Sequence, residues 1–336
     1  MARLTDLIRR TDRLPPLAGP AFTSTSFKPA APPPVVTETD GGSTDREWYQ
    51  RAILEVSRLG RAVAEQGDLD LKPLTGLASA LTSSCRNHDD LLRHAVSGSQ
   101  ALSPLAANCV NVAIIGNRLA EGLGYSQAER ECVTLAGLVH DLGMFLVPDS
   151  LVAKPQTLTS SERALVYHHP RNGALALSRV DAAYRWLASI VEQEHERWDG
   201  RGYPHQLSGP RIHRIAQVIG LADVLDALVN PRPYRHRLSA HRAVHQLVTA
   251  QKHVFPQELL RSLLNRISLY PPGTEVRLST GDDATVERLN ARTPLRPVVR
   301  LIAPTAMTER ILDLSLTPSV HIVEVLAQSP SGGTQV

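Results

Sequence analysis

An apolar helix that ends on His140-Asp141 constrains this chain more than any other feature of its sequence. Leu135, Leu138, Val139 and Leu142 surround the pair, so an imidazole and a carboxylate emerge where a core is already dense. An ionised carboxylate is costly inside a protein unless it is paired, hydrogen-bonded or bound to metal. His169, His195 and Asp223 follow at intervals, and Asp223 shares a helical face with Ile215, Val218, Ile219 and Ala222. Imidazoles and carboxylates without thiolates suit iron, manganese or zinc. An aspartate touching two ions would hold them roughly 3.5–4 Å apart. The dipeptide alone reads better as a hydrogen-bonded helix end than as a metal site, and the downstream blocks reverse that preference in favour of a cation.

With 336 residues, 42% of them apolar, the chain can build a real core. The net charge is +3 with Lys and Arg scattered along the chain, which argues against a nucleic acid polymer as partner and leaves room for an anionic small molecule. Cys85, Cys109 and Cys132 form no CxxC pair, which argues against a thiolate zinc site or a disulfide framework and for a reducing, cytoplasmic compartment. No run approaches the roughly 18 apolar residues of a membrane span. The N-terminus lacks the apolar stretch of a secretory signal. The expectation is a cytoplasmic protein without a membrane partner.

Along the chain, residues 1–45 read as a disordered Pro-rich arm around Pro32-Pro33-Pro34. Residues 46–99 read as an N-terminal helical region, with Ile53, Val56, Leu59 and Val63 at helical spacing. From 100 to 269 a helical catalytic domain is expected. In it, Ser126 with Glu129 and Thr159 with Glu162 are capping boxes, Pro170 interrupts a helix beside His168 and His169, and a helix over 182–194 leads into the tight Asp199-Gly200-Arg201-Gly202-Tyr203-Pro204 loop. Alternation in Val276, Leu278, Val286, Val298 and Leu301 predicts a small antiparallel sheet over 270–328, followed by a tail at 329–336. The fold class is therefore mainly α: an all-helical core bundle with an N-terminal helical extension and a small C-terminal β appendage.

Five blocks carry a resemblance to a known family: His140-Asp141-Leu142-Gly143; His169-Pro170 with Gly173; His195-Glu196-Arg197-Trp198-Asp199-Gly200 running into Gly202-Tyr203-Pro204; Ala222-Asp223-Val224-Leu225-Asp226-Ala227; and Arg232-Pro233-Tyr234-Arg235. In this order they resemble the HD-GYP phosphohydrolases of the HD-domain superfamily, over about residues 100 to 250. The resemblance implies hydrolysis of cyclic di-GMP, or a related cyclic dinucleotide, to pGpG or GMP at two divalent metal ions, iron or manganese. It implies His140, Asp141, His169, Glu194, His195 and Asp223 as metal ligands, with His140 and Asp141 catalytic and Asp141 the bridge. Lys154, Arg232 and Arg235 match positions that can face substrate phosphates, and the loop carrying Tyr203 would border the substrate pocket, its ring packing against a guanine or against the protein. Asp226 is either a hydrogen-bond acceptor that orients a ligand or a helix-surface acid.

Three positions depart from the family pattern: Glu194 stands where many relatives have a second histidine, Asn108 where a metal-binding histidine often begins the upstream helix, and Met144 where a lysine often follows. Besides the hydrolase, these departures admit a weak or inactive module that senses nucleotide or binds a signalling protein, and a homodimer. His168, His205, His213, His236, His241 and His245 are read as surface or supporting residues.

Overall fold

The computed structural model describes residues 45–87, 91–92, 95, 103–152, 154, 156–230, 238, 240–267, 270, 272–288, 290, 293, 296–302 and 311–328. The expectations for the N-terminal arm, the C-terminal tail, His236, Arg232 and Arg235 lie outside these residues, as do the side chains of His241 and His245. The chain divides into two compact units, the first holding the helices up to Val229 together with Gln251–Leu259.

That unit is built on helix α3 (Pro104–Gly122), which follows α1 (Asp45–Ala64) and α2 (Lys72–Asn87). Residues from Ala106 to Ala120 of α3 are buried on every face, as expected of a helix apolar all round. Helix α4 (Gln127–Val139) packs along it, and so do α1 and α9 (Arg214–Val229). The predicted box at α4 forms, with Ser126 Oγ accepting from the Glu129 amide and the Glu129 carboxylate accepting from the Ser126 amide. A satisfied polar network crosses this core: Asn117 Nδ2 donates to Thr82 Oγ1 at 2.9 Å and Thr134 Oγ1 at 2.8 Å, while Arg130 Nη2 donates to Asn117 Oδ1 at 2.7 Å. Such a network fixes the register of three helices because every misalignment leaves a polar atom unpaired.

After α4 the chain makes a 3-10 turn, Leu142–Leu146, then α5 (Asp149–Val152), α6 (Ser160–Tyr167), α7 (His169–Leu177), a 3-10 turn at Ala182–Tyr184 and α8 (Trp186–Gln193). The box at Thr159 and Glu162 starts α6. His168 closes α6 and opens α7, and Pro170 sits in the first turn of α7, where no amide is needed. The helix expected over 182–194 is broken: Asp181 caps a 3-10 turn through the Ala183 amide, and the α-helix proper starts at Trp186. The turn Leu142–Leu146 lies against α1, where the Phe145 ring meets Gly60.

The second unit contains α10 (Ala240–Ala250), the part of α11 (Gln257–Arg266) from Leu260 onward, and a five-stranded sheet. The strands are β1 (Thr274–Leu278), β2 (Asp283–Arg288), β3 (Val298–Leu301), β4 (Ile311–Asp313) and β5 (Ile322–Gln328). All pairs are antiparallel in the order β4-β3-β2-β1-β5. The predicted alternation places Val276, Leu278, Ala284 and Val286 inside. Strand β4 stops at Asp313, and Leu316 is exposed in a turn. Arg296 gathers that turn by donating to the carbonyls of Leu314, Pro318 and Val320.

Candidate metal centre

Helix ends bring the site together. His140 caps the C-terminus of α4 and Asp141 opens the following 3-10 turn. His169 begins α7, Glu194 closes α8 with His195 just beyond it, and Asp223 projects from α9. Rigid helices thus fix each Cα while the short terminal turns let the side chains converge.

His140 Nε2 lies 3.9 Å from Asp141 Oδ2, 3.9 Å from Glu194 Oε2 and 4.0 Å from Asp223 Oδ1. His169 Nε2 lies 3.2 Å from Asp141 Oδ1, 3.3 Å from Glu194 Oε1 and 3.0 Å from His195 Nε2. The far nitrogens of two imidazoles are tied to backbone carbonyls: His140 Nδ1 is 2.9 Å from Gly137 O, and His169 Nδ1 is 2.6 Å from Val166 O. Those bonds place the protons on Nδ1 and aim the Nε2 lone pairs inward, the tautomer that ligates metal.

Two buried atoms in this cluster, His140 Nε2 and Glu194 Oε2, have no hydrogen-bond partner. Buried polar atoms are rarely left so, and an ion is one of the standard reasons. His169, Glu194 and His195 alone offer three ligand atoms within 4.8 Å of one another. The donor set of imidazoles and carboxylates matches a divalent cation of the first transition row.

The electrostatics agree. Burial pushes the Glu194 carboxyl well above the usual carboxylate range, with Asp141 and Asp223 adding to the shift against His140. Burial likewise drives the His195 imidazole well below its ordinary value and lowers that of His169, so both are neutral and available to ligate. For His140 the burial penalty is outweighed by Glu194, Asp141 and Asp223, which raise it to about 9. A protonated His140 cannot ligate, so a cation must displace its proton at any pH below about 9. Apparent affinity for Mn2+ should therefore rise at least about tenfold per pH unit as that point is approached from below, and more steeply where Glu194 also gives up a proton. Calorimetric Mn2+ titrations across this range check it, and a flat profile refutes it.

Glycine permits the tightest approach in the site: a Cβ on Gly143 would lie 1.9 Å from His169 O and 2.7 Å from Gly173 N. The Asp141 loop and the His169 helix therefore touch backbone to backbone.

Asn108 on α3 is the contributor whose part the sequence concealed. Its amide donates to Asp226 Oδ2 at 2.7 Å and reaches Asp223 Oδ1 at 3.5 Å, and Asn230 Nδ2 donates to Asp226 Oδ1 at 2.5 Å. Asp226 is buried and belongs to this hydrogen-bonded group. Asn108 lies 115 residues from Asp223 and 118 from Asp226, so no local pattern signals that contact. Arg197 was passed over as well: it is buried, donates through Nη1 to the carbonyls of Glu194 and Glu196 at 2.8 and 2.9 Å, and packs on the Phe255 ring. It pins the backbone that carries Glu194.

Lys154 stands apart from the cluster's polar contacts, bound to Glu162 at 2.6 and 2.8 Å. Tyr203 stacks on His195 with centroids 4.7 Å apart and also packs against Tyr167 at 4.5 Å. His168 is exposed, while His205 pairs with Glu192 at 3.1 Å. His213, read as a surface residue, is half-buried and accepts the Ile215 amide at the start of α9.

A helical bundle that gathers imidazoles and carboxylates at its helix ends, with buried ligand atoms lacking partners, offers a candidate site for a divalent metal. Residues 91–259, half of the chain, match the family model described as HD domain, and the chain belongs to the HD-domain family. It is 35% identical over 167 residues to the cyclic di-GMP phosphodiesterase PA4108 of Pseudomonas aeruginosa, covering 50% of this chain and 40% of that protein. It is 31% identical over 159 residues to the 3'3'-cGAMP-specific phosphodiesterase 2 of Vibrio cholerae, covering 47% of this chain and 30% of that one. The chain thus spans two fifths or less of the length of these relatives. Among solved structures, Bd1817, an HDG"Y"P protein from Bdellovibrio bacteriovorus, superposes with a TM-score of 0.55 at 17% identity, covering 67% of this chain and 73% of that one. That likeness bears on the fold. Among the described residues no helix is long and apolar enough to cross a membrane.

Proposed function

We propose that this chain is a metal-dependent cyclic-dinucleotide phosphodiesterase that opens cyclic di-GMP to pGpG and then GMP, with two divalent ions, iron or manganese, as cofactor. The observation that carries the reading is the pair of partnerless buried atoms, His140 Nε2 and Glu194 Oε2, 3.9 Å apart inside an imidazole and carboxylate cluster. The names of the two relatives above support the substrate class.

In this reading His140, Asp141, His169, Glu194, His195 and Asp223 hold the ions. Asp141 is suited to be shared, because its Oδ1 faces His169 and its Oδ2 faces His140. When bound, such ions make an activated water available near neutral pH and neutralise charge developing on a phosphodiester. The chain's own residues do the rest. Asn108 and Asp226 hold Asp223 in place, and Arg197 holds the Glu194 backbone. Lys154, once released from Glu162, would meet the phosphates, and Arg232 and Arg235 are assigned to the same task from their motif positions alone, a guanidinium fork being well shaped for it. In-line attack of water on phosphorus breaks one ester bond of the ring and yields the linear dinucleotide.

The test is direct. Protein reconstituted without oxygen with Fe2+, or with Mn2+, is offered cyclic di-GMP and 3'3'-cGAMP, and products are separated by chromatography. Appearance of pGpG is expected. A metal-loaded protein that binds either nucleotide yet leaves both intact refutes the proposal.

A further inference from the structure

The three histidines of the cluster are not held alike. His140 and His169 each have Nδ1 tied to a carbonyl. His195 lies beyond the end of α8, and among the described residues no hydrogen bond to its Nδ1 is found, its polar contacts running through Nε2 to His169 and Glu194. Something else must set the plane of that ring, because an imidazole on a loop otherwise turns about two single bonds.

We propose that Tyr203 is the positioning residue for His195, with ring stacking taking the place of the missing hydrogen bond, and that Glu196 holds Tyr203 to the task. The two rings lie 4.7 Å apart, inclined by 16°, a stacked arrangement. The backbones are joined too, since the Tyr203 amide donates to His195 O at 3.2 Å. Buried Glu196 then fastens the loop just beyond, its two oxygens accepting the His205 amide at 2.6 Å and the Leu207 amide at 2.8 Å. Between them the loop passes so close to residues 195–197 that a Cβ on Gly202 would lie 2.4 Å from Arg197 N and 2.5 Å from His195 O. Tyr167 packs against Tyr203 at 4.5 Å, tilted by 32°. Tyr203 is thereby committed to contacts inside the protein, and its aromatic ring serves the metal centre instead of stacking on a guanine.

This inference rests on the metal centre proposed above. The experiment uses the full chain and measures Mn2+ affinity by calorimetry, thermal midpoint, and KM and kcat for cyclic di-GMP at saturating Mn2+. Tyr203→Leu, or Tyr203→Met should the first not fold, is expected to bind Mn2+ about 10- to 100-fold more weakly, the usual effect of losing a partner that orients a ligand. Tyr203→Phe keeps the ring and should restore wild-type affinity, and Glu196→Gln should weaken it in the same direction as Tyr203→Leu. In a His195→Ala background Tyr203→Leu should cost no further affinity, because the residue acts only through His195. Unchanged Mn2+ affinity in Tyr203→Leu overturns the proposal, as does a raised KM with Mn2+ affinity intact, which would make Tyr203 a nucleotide-stacking residue. An equal further loss in the His195→Ala background overturns it too, by revealing a merely structural role. Failure of the unaltered protein to bind Mn2+ overturns the metal centre itself.

Discussion

Replacing Asp141 by alanine is expected to empty the site of metal and to lower turnover of cyclic di-GMP by about 10^2–10^3-fold or more, the scale seen when one transition-state donor is lost. Asp141 places its two oxygens against two different histidines, His169 at 3.2 Å and His140 at 3.9 Å. Glu194 faces the same pair at 3.3 and 3.9 Å, but its burial pushes that carboxyl well above the usual carboxylate range. The fold should survive, because Asp141 opens the 3-10 turn without a side-chain capping bond and its side chain is 16% exposed. Removing it also removes a negative charge that works against ionised Glu194. The metal-free variant should therefore melt close to the metal-free wild type, while elemental analysis shows less metal per chain. Full metal content in Asp141→Ala would sink the ligand assignment, and a collapse of the melting temperature would point to a structural role.

Gly143→Ala should act in the opposite way, by breaking the fold around an intact set of donors. Its Cβ would stand 1.9 Å from His169 O, 2.7 Å from Gly173 N and 2.8 Å from His169 C. These are backbone atoms, so no rotamer change relieves the clash, and α7 must move away from the Asp141 loop. Overpacking of this kind costs about 3 kcal/mol or more, which for a unit of this size lowers the melting temperature by roughly 6–12 °C. The shift of α7 also takes His169 away from Asp141, so metal affinity should fall with stability. A circular dichroism melt unchanged to within about 2 °C would refute the close approach.

These two residues show why the candidate cluster was legible before the fold was known. Metal ligands need particular atoms, and His140, Asp141, His169, His195 and Asp223 each stand in a recognisable block, with glycines such as Gly143 and Gly202 where backbones approach closely. Helix starts were equally legible at Ser126 and Thr159, where the capping partner lies three residues away. What stayed hidden depends on long-range approach. Asn108 reaches Asp226 across 118 residues. Lys154 is engaged by Glu162, the same residue whose carboxylate caps α6, and that competition is not written in the motif. For Tyr203 the sequence leaves a guanine and the protein open as packing partners, and its ring contacts are with His195 and Tyr167. The sheet's order was also beyond local pattern: β4 and β5, consecutive in the chain, lie on opposite edges.

The family match begins at residue 91, yet α1 and α2 belong to the same compact unit as the metal centre. Phe145, four residues beyond Asp141, has its ring seated on Gly60 of α1, and Tyr49 of α1 donates to Asn111 of α3 at 2.8 Å. Excising the chain at the homology boundary would thus strip the floor from the very turn that presents Asp141. The matched family segment and the compact unit have different edges here, and a displacement of α1 would reach the turn that presents Asp141 through the Phe145 ring.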